Sequence, residues 1–307
     1  MLAYTLRRVG SAIPTLLFII TIAFFMMRMA PGGPFDRERQ LPPEIEANIL
    51  RAYNLDKPVY EQYFDYLINI MHGDFGPSYK YLDFTVTDLI TTGFPVSLRL
   101  GMSAILLAIF VGVFAGTIAA LKQNSVFDYM VMGTAMTGIA IPNFVMAPLL
   151  ALIFGVYLSW LPVAGWGGGA IAYQVMPIIT LALPQIAYVA RLTRGSMVET
   201  MNSNFIRTAR AKGLNERIVV IRHALKGGLL PVISYLGPAT AEIITGSVVI
   251  EAIFDIPGIG RYFVNGALNR DYPVVMGVVI FFALLIITLN LVVDLIYGFL
   301  DPRVKVE

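Results

Sequence analysis

The basic side chains of this sequence concentrate in one polar stretch, Asn202–Pro231, which lies between two long apolar segments. Beside a single acid, Glu216, the stretch carries six bases: Arg207, Arg210, Lys212, Arg217, Arg222 and Lys226. Such a cluster can dock onto another protein, or it can attract anionic lipid head groups at about 1 kcal/mol per basic residue. Composition alone leaves both outcomes open, because basic loops are expected on the inner side of membrane proteins.

Two short helices are predicted to shape this stretch into a compact surface. Asn204 is expected to cap the first helix, and Gly213 is expected to end it as the left-handed residue. The second helix is expected to run from Asn215 to Gly227. Phe205 and Ala209 are predicted to share one small apolar face of the first helix. A lipid-binding cluster would not need this shape, whereas a docking surface would.

One acid, Glu242, lies in the middle of an apolar segment that is long enough to cross a membrane. A charge at that depth is costly unless it faces protein or water, so an intramembrane acid is a candidate for a transport pathway. A single acid can also stay protonated or pair with a polar neighbour such as Thr240 or Thr245. The pathway role and the structural role both remain open for Glu242.

The residue types give little evidence for a catalytic site or a cofactor site. The sequence has no cysteine and two histidines, His72 and His223, so a Cys-based or His-based metal site is improbable. The glycine run at residues 167–169 is not followed by Gly-Lys-Ser/Thr, so the chain has no P-loop for ATP. A membrane-embedded protease would need a positioned nucleophile and base, and His223 lies in the basic stretch. We therefore expect neither an enzyme nor a bound cofactor or metal in this chain.

The composition is that of an integral membrane protein. Of 307 residues, 57% are hydrophobic and 14% are charged, with a mean hydropathy of +0.72, whereas a soluble domain carries about 25% charged residues. The net charge of +2 is too small for a nucleic-acid partner.

Six apolar runs predict an all-α chain with six transmembrane helices in a single transmembrane domain, residues 1–307. A bilayer is crossed by about 20 apolar residues. The runs are Val9–Ala30, Leu98–Leu121, Tyr129–Leu158, Val175–Val189, Leu229–Ile250 and Val274–Leu300. The first run is interpreted as an uncleaved anchor, because a signal peptide would have a shorter apolar region. Pro142 is expected to kink the third span, and Gly112 and Gly116 are expected to permit close packing of the second.

Residues 31–95 are predicted to form a small helical insertion outside the membrane, with ten acidic and five basic residues. One helix is expected from Pro42 to Tyr53, and another after Pro58. In the second helix five apolar side chains share one face by spacing: Tyr60, Tyr63, Phe64, Leu67 and Ile68. Packing against the membrane spans is favoured over peptide contact for this face.

The orientation follows from the distribution of Lys and Arg. With both termini inside, the inner segments hold thirteen basic residues, and the short outer loop between spans five and six holds two, Arg261 and Arg270. Excess positive charge in short loops marks the cytoplasmic side. The sequence therefore predicts cytoplasmic termini, a cytoplasmic loop at residues 202–228, and an extracytoplasmic 31–95 region.

The basic stretch resembles the cytoplasmic EAA loop of ATP-binding cassette (ABC) importer permeases. The family pattern is Glu-Ala-Ala, three residues, Gly, nine residues, then Ile-x-Leu-Pro, and Ala209, Gly213 and Leu225 match it. Four positions depart from the pattern: Arg207, Thr208, His223 and Lys226. These departures match the peptide-transporter branch, in which RTARAKGL and RHAL are characteristic. Further segments that resemble this branch are APGGPF, YNLDKP, GDFGPS, GFPVSLRLG, ALKQN, RGSM and NGALNRDYP, and the overall pattern is most similar to B-type membrane subunits of oligopeptide importers.

The resemblance implies a permease subunit of an ATP-driven oligopeptide importer in the bacterial inner membrane. It implies two separate ATPase subunits that hold ATP and Mg²⁺, a second and usually different permease subunit, and an extracytoplasmic protein that delivers the peptide substrate. The residues implied to contact the ATPase are Phe205, Arg207, Ala209, Arg210, Lys212, Gly213, His223 and Leu225. Dipeptide and nickel permeases are the nearest alternatives.

An ion-coupled secondary transporter is the alternative from a different class. It would predict several intramembrane charges and two matching halves with broken helices. The sequence offers Glu242 and no visible internal repeat.

Overall fold

The computed structural model describes residues 2–29, 55–81 and 83–300, and within these ranges almost every regular element is helical. The α-helices are α1 Leu2–Met29, α2 Val59–Met71, α3 Val86–Leu121, α4 Val126–Ala140, α5 Asn143–Leu150, α6 Ile171–Met201, α7 Asn204–Ala211, α8 Glu216–Ile218, α9 Leu225–Gly228, α10 Leu230–Gly246, α11 Val248–Ile253, α12 Ile259–Leu268 and α13 Tyr272–Leu300. Two π-helical segments, Ala151–Tyr157 and Val219–Ala224, continue α5 and α8. The predicted all-α class is confirmed.

Among the described residues, five stretches of helix are long and apolar enough to cross a membrane. They are Gly10–Met29, Val86–Leu121, Ile171–Met201, Leu230–Ile253 and Tyr272–Val293. The pair Val126–Ala140 and Asn143–Tyr157 passes the same test together, with a bend of 103° between its two parts. Counted as one broken span, this pair brings the total to the predicted six.

The break in the third span occurs at the predicted proline. Ile141 leaves the helix with φ −97° and ψ 117°, and Pro142 follows with φ −59° and ψ 143°. Proline lacks an amide hydrogen, and its ring disfavours the helical region for the residue before it. Both residues are therefore extended, which produces a sharp turn where the sequence predicted a kink.

The chain divides into two compact units, one formed by Leu98–Ile256 with the chain from Thr288 onward, the other by Leu2–Ser97 with Pro257–Ile287. In the first unit α3 packs closely on α6. A Cβ atom added to Gly116 would lie 2.4 Å from the Ala190 carbonyl oxygen, and one added to Gly112 would lie 2.7 Å from the Val189 Cβ. The predicted close packing of these two glycines is thus confirmed.

Helix α6 is twice as long as its predicted apolar segment, since it begins at Ile171 and ends at Met201. Two prolines, Pro177 and Pro184, lie inside it. The apolar run ends before Arg191, but the helix continues to Met201, and within this extension Arg194 pairs with Asp128 on α4. The Arg194 Nε and one terminal nitrogen each donate to a different oxygen of that carboxylate at 2.6 Å.

In the second unit, an aromatic cluster joins α1 to α2. The hydroxyl groups of Thr21 and Tyr63 are hydrogen-bonded at 2.7 Å, and the Phe24 ring lies 5.4 Å from that of Tyr63 and 5.9 Å from that of Tyr66. The packing interpretation is confirmed for Tyr63. Three other members of the predicted face are exposed: Tyr60, Phe64 and Ile68. The face of α2 that packs against α1 is therefore formed by Tyr63 and Tyr66, and it is rotated around the helix relative to the predicted face.

A buried carboxylate, Asp271, fixes the segment that follows α2 in the same unit. It accepts hydrogen bonds from the Ser78 hydroxyl at 2.5 Å and from the amides of Tyr79 and Lys80 at 3.0 and 3.2 Å. Helix α3 then begins at Val86, inside the predicted 31–95 insertion and twelve residues before the predicted span. The helix predicted from Pro42 to Tyr53 lies outside the described residues.

Candidate functional site

Helix α7 forms the centre of the basic loop, residues 202–228. The N-cap is Ser203 rather than the predicted Asn204, which is the first helical residue. Ser203 takes extended backbone angles, and its hydroxyl donates to the Thr200 carbonyl at 2.6 Å instead of capping the helix. Gly213 has φ +77°, and its amide donates to the Arg210 carbonyl at 2.9 Å. The predicted glycine terminus is therefore confirmed.

The second helix of the loop begins as predicted and differs inside. The side chain of Asn215 accepts from the Arg217 amide at 3.0 Å, which caps the helix start. The interior is π-helical over Val219–Ala224, and the last α-helical turn ends at Gly228. A single residue, Leu229, then separates this helix from α10, so the loop leads almost directly into the fifth span.

The base of the loop is an apolar cluster. Its buried members are Ala120, Met197, Ile206, Ala209, Val219, Val220 and Ala224. Ile206 and Ala209 are the two buried residues of α7, whereas Phe205 is 51% exposed. The predicted shared face of Phe205 and Ala209 is thus wrong. The cluster faces the side of the helix that carries Ile206, which leaves Phe205 at the outer surface.

The residues predicted to contact an ATPase divide into two groups. One group is exposed and consists of Phe205, Arg207, Arg210, Lys212 and Gly213. Ala209 is buried, His223 is partly buried, and Leu225 packs against the cluster from its edge. The first group can therefore touch a partner, whereas Ala209 and Leu225 belong to the packed base beneath α7.

An ion pair closes the turn around Gly213. The Arg210 Nε and a terminal nitrogen donate to the two carboxylate oxygens of Glu216 at 3.1 and 2.5 Å. The hydrogen bond from Arg210 lowers the pKa of Glu216 and raises that of Arg210. Both groups lie in solvent, so the pair orders the turn more than it stabilises the fold.

The far end of the loop is held on α6. The Ser196 hydroxyl donates to the Gly228 carbonyl. A Cβ atom added to Gly228 would lie 2.6 Å from the Met197 sulfur. The end of α6 and the last turn of the basic loop therefore approach closely.

Glu242 is exposed on α10, away from the basic loop. Two other acids in the spans are fully buried and were not recognised in the sequence: Asp128, paired with Arg194, and Glu251 on α11, which accepts from the Ser247 hydroxyl at 2.6 Å. Ser125 caps α4 by accepting from the Asp128 amide. The Ser-x-x-Asp spacing is a capping signal that could have predicted Asp128 to lie at a helix start. Its partner, Arg194, lies 66 residues away, so a local sequence pattern could not have predicted the pair.

An all-α chain with six spans, whose fourth and fifth spans are joined by a packed loop with an exposed basic surface, has the architecture of an ABC importer membrane subunit. Comparison with known proteins agrees. Residues 108–306 match the family described as binding-protein-dependent transport system inner membrane component, and residues 1–101 match the N-terminal component of such proteins. The chain belongs to this family of permeases.

Curated relatives match the chain over nearly its whole length. The oligopeptide transport system permease protein OppB of Salmonella typhimurium is 57% identical over 99% of this chain and 100% of that protein. OppB of Haemophilus influenzae is 52% identical over the same shares. The dipeptide transport system permease protein DppB of Bacillus subtilis is 45% identical over 100% of this chain and 99% of that protein.

Two solved structures share the fold. The inward-facing MetNI methionine ABC transporter matches with a TM-score of 0.60 and 15% identity, over 69% of this chain and 96% of that chain. An amino acid ABC transporter matches with a TM-score of 0.53 and 14% identity, over 71% and 95%. At these identities the likeness concerns the fold alone.

Proposed function

We propose that this chain is the transmembrane permease subunit of an ATP-driven oligopeptide importer and forms half of the peptide path. The observation that carries the proposal is the exposed basic surface of α7 on a packed base, in a chain 57% identical to an oligopeptide permease over 99% of its length. A dipeptide importer is the second candidate, supported by relatives with that name at 45% identity. The higher identity favours the oligopeptide substrate.

The partners follow from the chemistry of the loop. ATP and Mg²⁺ are bound by two separate ATPase subunits, and the lack of a P-loop in this chain supports that assignment. The exposed surface of α7, which includes Phe205, Arg207 and Arg210, lies in a groove of one ATPase together with Lys212 just beyond the helix. Ala209, His223 and Leu225 hold the surface in place, and Gly213 sets its end.

The remaining subunits complete the path. A second, homologous permease lines the other half, and an extracytoplasmic binding protein delivers the peptide. The excess of Lys and Arg supports an orientation with both termini and the basic loop in the cytoplasm and with the part of the 31–95 region before α3 outside. Glu242 faces the path, because an exposed intramembrane carboxylate requires water or a polar partner.

The subunit composition tests the proposal directly. The complex is purified from the native membrane through a tag after Glu307 and weighed by intact-complex mass spectrometry. We expect two P-loop ATPases and a second permease to co-purify, and ATP hydrolysis to be stimulated by peptide-loaded binding protein. A chain that purifies alone and shows no associated ATPase would contradict the proposal.

The contact with the ATPase has its own test, because the natural chain is free of cysteine. Phe205→Cys places one thiol on the exposed surface, and Ala209→Cys places a matched thiol on the buried face. A bifunctional thiol-to-amine reagent should link the first variant to an ATPase subunit and leave the second unlinked. Equal linkage of both variants, or of neither, would contradict the assigned surface.

A further inference from the structure

The exposed faces of the spans differ in chemistry within the Leu98–Ile256 part of the first unit. On α3 the exposed side chains follow one apolar stripe: Met102, Leu106, Phe110 and Phe114. On α10 the exposed stripe carries Ser234, Pro238 and Glu242. On α6 the matching stripe carries Arg191, Gly195 and Glu199. Lipid solvates the first kind of stripe and not the second, because charged side chains in a span face protein or water.

Side chains of α6 and α10 join these two polar stripes into one surface. The rings of Tyr188 and Tyr235 lie 5.7 Å apart. The Tyr235 hydroxyl donates to the Gln185 Oε1 at 2.5 Å. The Arg191 guanidinium carbon lies 5.2 Å from the centre of the Tyr188 ring. We call the surface formed by Tyr188, Arg191, Tyr235 and Glu242 the polar strip, and Gln185 lies buried beneath it.

The polar strip has a cation at one end and an acid at the other. Arg191 lies three residues beyond Tyr188 in the direction of the basic loop, and Glu242 lies seven residues beyond Tyr235 in the opposite direction. Both charges lie within electrostatic reach of the Tyr235 hydroxyl. At 1.5 Å of rise per residue, the two charged positions are separated by roughly 15 Å along the helices.

This distribution of charge is complementary to a peptide with free ends. An extended chain advances about 3.3 Å per residue, so roughly 15 Å corresponds to four or five residues. The tyrosine rings between the charges offer flat surfaces for side chains of any type, and their hydroxyl groups can bond to the peptide backbone. A strip of this kind recognises the two ends of a peptide without selecting its side chains.

We propose that the polar strip binds the peptide in transit, with its amino terminus at Glu242 and its carboxylate at Arg191. This inference rests on the proposed peptide-importer function and adds the site and direction of the substrate. The amino terminus therefore lies farther from the basic loop than the carboxyl terminus does.

Uptake by the complete complex in proteoliposomes tests the assignment of the two ends. Labelled tetra-alanine is compared with its N-acetyl and C-amide forms in wild-type complex, Glu242→Gln and Arg191→Gln. Glu242→Gln should raise the KM for the free peptide about tenfold and leave the KM for the N-acetyl form unchanged. Arg191→Gln should raise the KM for the free peptide about tenfold and leave the KM for the C-amide form unchanged. Each variant is compared with wild type for the same peptide, so the preference of the binding protein cancels.

Matched controls use exposed charges outside the polar strip. Glu61→Gln and Lys80→Gln remove an acid and a base from exposed positions that belong neither to α6 and α10 nor to the basic loop, and they should leave the KM of every form unchanged. Equal losses for free and blocked peptides in the Glu242 and Arg191 variants would overturn the inference. So would failure of these variants to assemble, since the two charges would then pair with the second permease.

Cross-linking gives a second readout that does not depend on delivery of blocked peptides. A benzophenone side chain at the first residue of the peptide should label α10 around Glu242, and one at the last residue should label α6 around Arg191, as read by mass spectrometry. Labelling of the same sites by both peptides, or of neither helix, would overturn the inference. If wild-type complex takes up no peptide with ATP, the proposed function itself has failed, which is a separate outcome.

Discussion

Removal of the Asp128 carboxylate should destabilise the chain by about 3 kcal/mol. Asp128 is 1% exposed. Its carboxylate accepts hydrogen bonds from the Nε and one terminal nitrogen of Arg194 at 2.6 Å, and from the Asn124 amide at 2.9 Å. Breaking a buried pair costs about 3 to 5 kcal/mol, because the remaining charge stays buried without its partner. The Arg194 side chain is 28% exposed and can reach water, which places the cost at the lower end of that range.

The pair can be isolated by a double-mutant cycle. We expect Asp128→Ala and Arg194→Ala each to be strongly destabilising, and the double variant to be more stable than the sum of the two losses predicts by about 2 kcal/mol. The measurement is equilibrium unfolding of the purified chain in mixed micelles with increasing dodecyl sulfate, followed by circular dichroism.

An exposed base provides the control for this cycle. Arg207→Ala should change the free energy of unfolding by less than about 0.5 kcal/mol. Additive losses from Asp128→Ala and Arg194→Ala, or a loss below about 1 kcal/mol for Asp128→Ala, would refute the reasoning. The ion pair would then contribute little to the packing of α4 against α6.

Three further predictions concern close packing, backbone conformation and charge. Gly116→Ala should destabilise the chain by about 1 to 3 kcal/mol in the same unfolding assay, because the new methyl group would lie 2.4 Å from a carbonyl oxygen. The control variant, Gly133→Ala, should be neutral or stabilising, because nothing lies within 4 Å of its added Cβ atom. Gly213→Ala should cost about 1 kcal/mol of backbone strain at φ +77° and reduce peptide uptake per ATP hydrolysed, whereas Gly213→Asn should retain most of the coupling. The turn held by Arg210 and Glu216 should stay ordered at neutral pH and loosen in acid. A carboxylate with a lowered pKa stabilises the folded turn only while it is ionised, so this stabilisation is lost as the pH falls through that pKa. The mobility of a spin label in the turn measures the change, and Glu216→Gln should remove its pH dependence.

Each of these predictions has an outcome that contradicts it. Equal effects of the alanine substitutions at Gly116 and Gly133 would show that the approach of α3 to α6 is not tight. Unchanged coupling in Gly213→Ala would mean that the left-handed turn does not set the position of α7. A turn that loosens in acid to the same extent with Glu216→Gln would assign the change to another group.

The sequence predicted the features that depend on local chemistry. The apolar runs located the spans, Pro142 located the break in the third, and Gly213 located the end of α7, because hydropathy, a missing amide and a left-handed backbone are properties of single residues and short windows. The glycine pair at Gly112 and Gly116 was also predictable, since close helix packing needs small residues at that spacing.

The features that depend on tertiary contacts could not be predicted in this way. Phe205 and Ile206 are adjacent and both apolar, and the cluster beneath α7 decides which of them is buried. The pairing of Arg194 on α6 with Asp128 joins residues 66 positions apart, so a local pattern does not reveal it. Hydropathy singled out Glu242 as the intramembrane acid, whereas the fully buried acid is Glu251, which lies one residue beyond the end of the same predicted span.

ATP-dependent uptake of a labelled peptide tests the central claim most directly. The tagged complex is reconstituted in proteoliposomes with its binding protein, and uptake is measured with ATP, without ATP, and with an imposed proton or sodium gradient alone. An importer whose ATPases act through α7 should take up peptide only when ATP is hydrolysed, and Gly213→Ala should lower uptake more than hydrolysis. Uptake driven by the ion gradient without ATP would contradict the account and would make Glu242 the candidate for ion coupling.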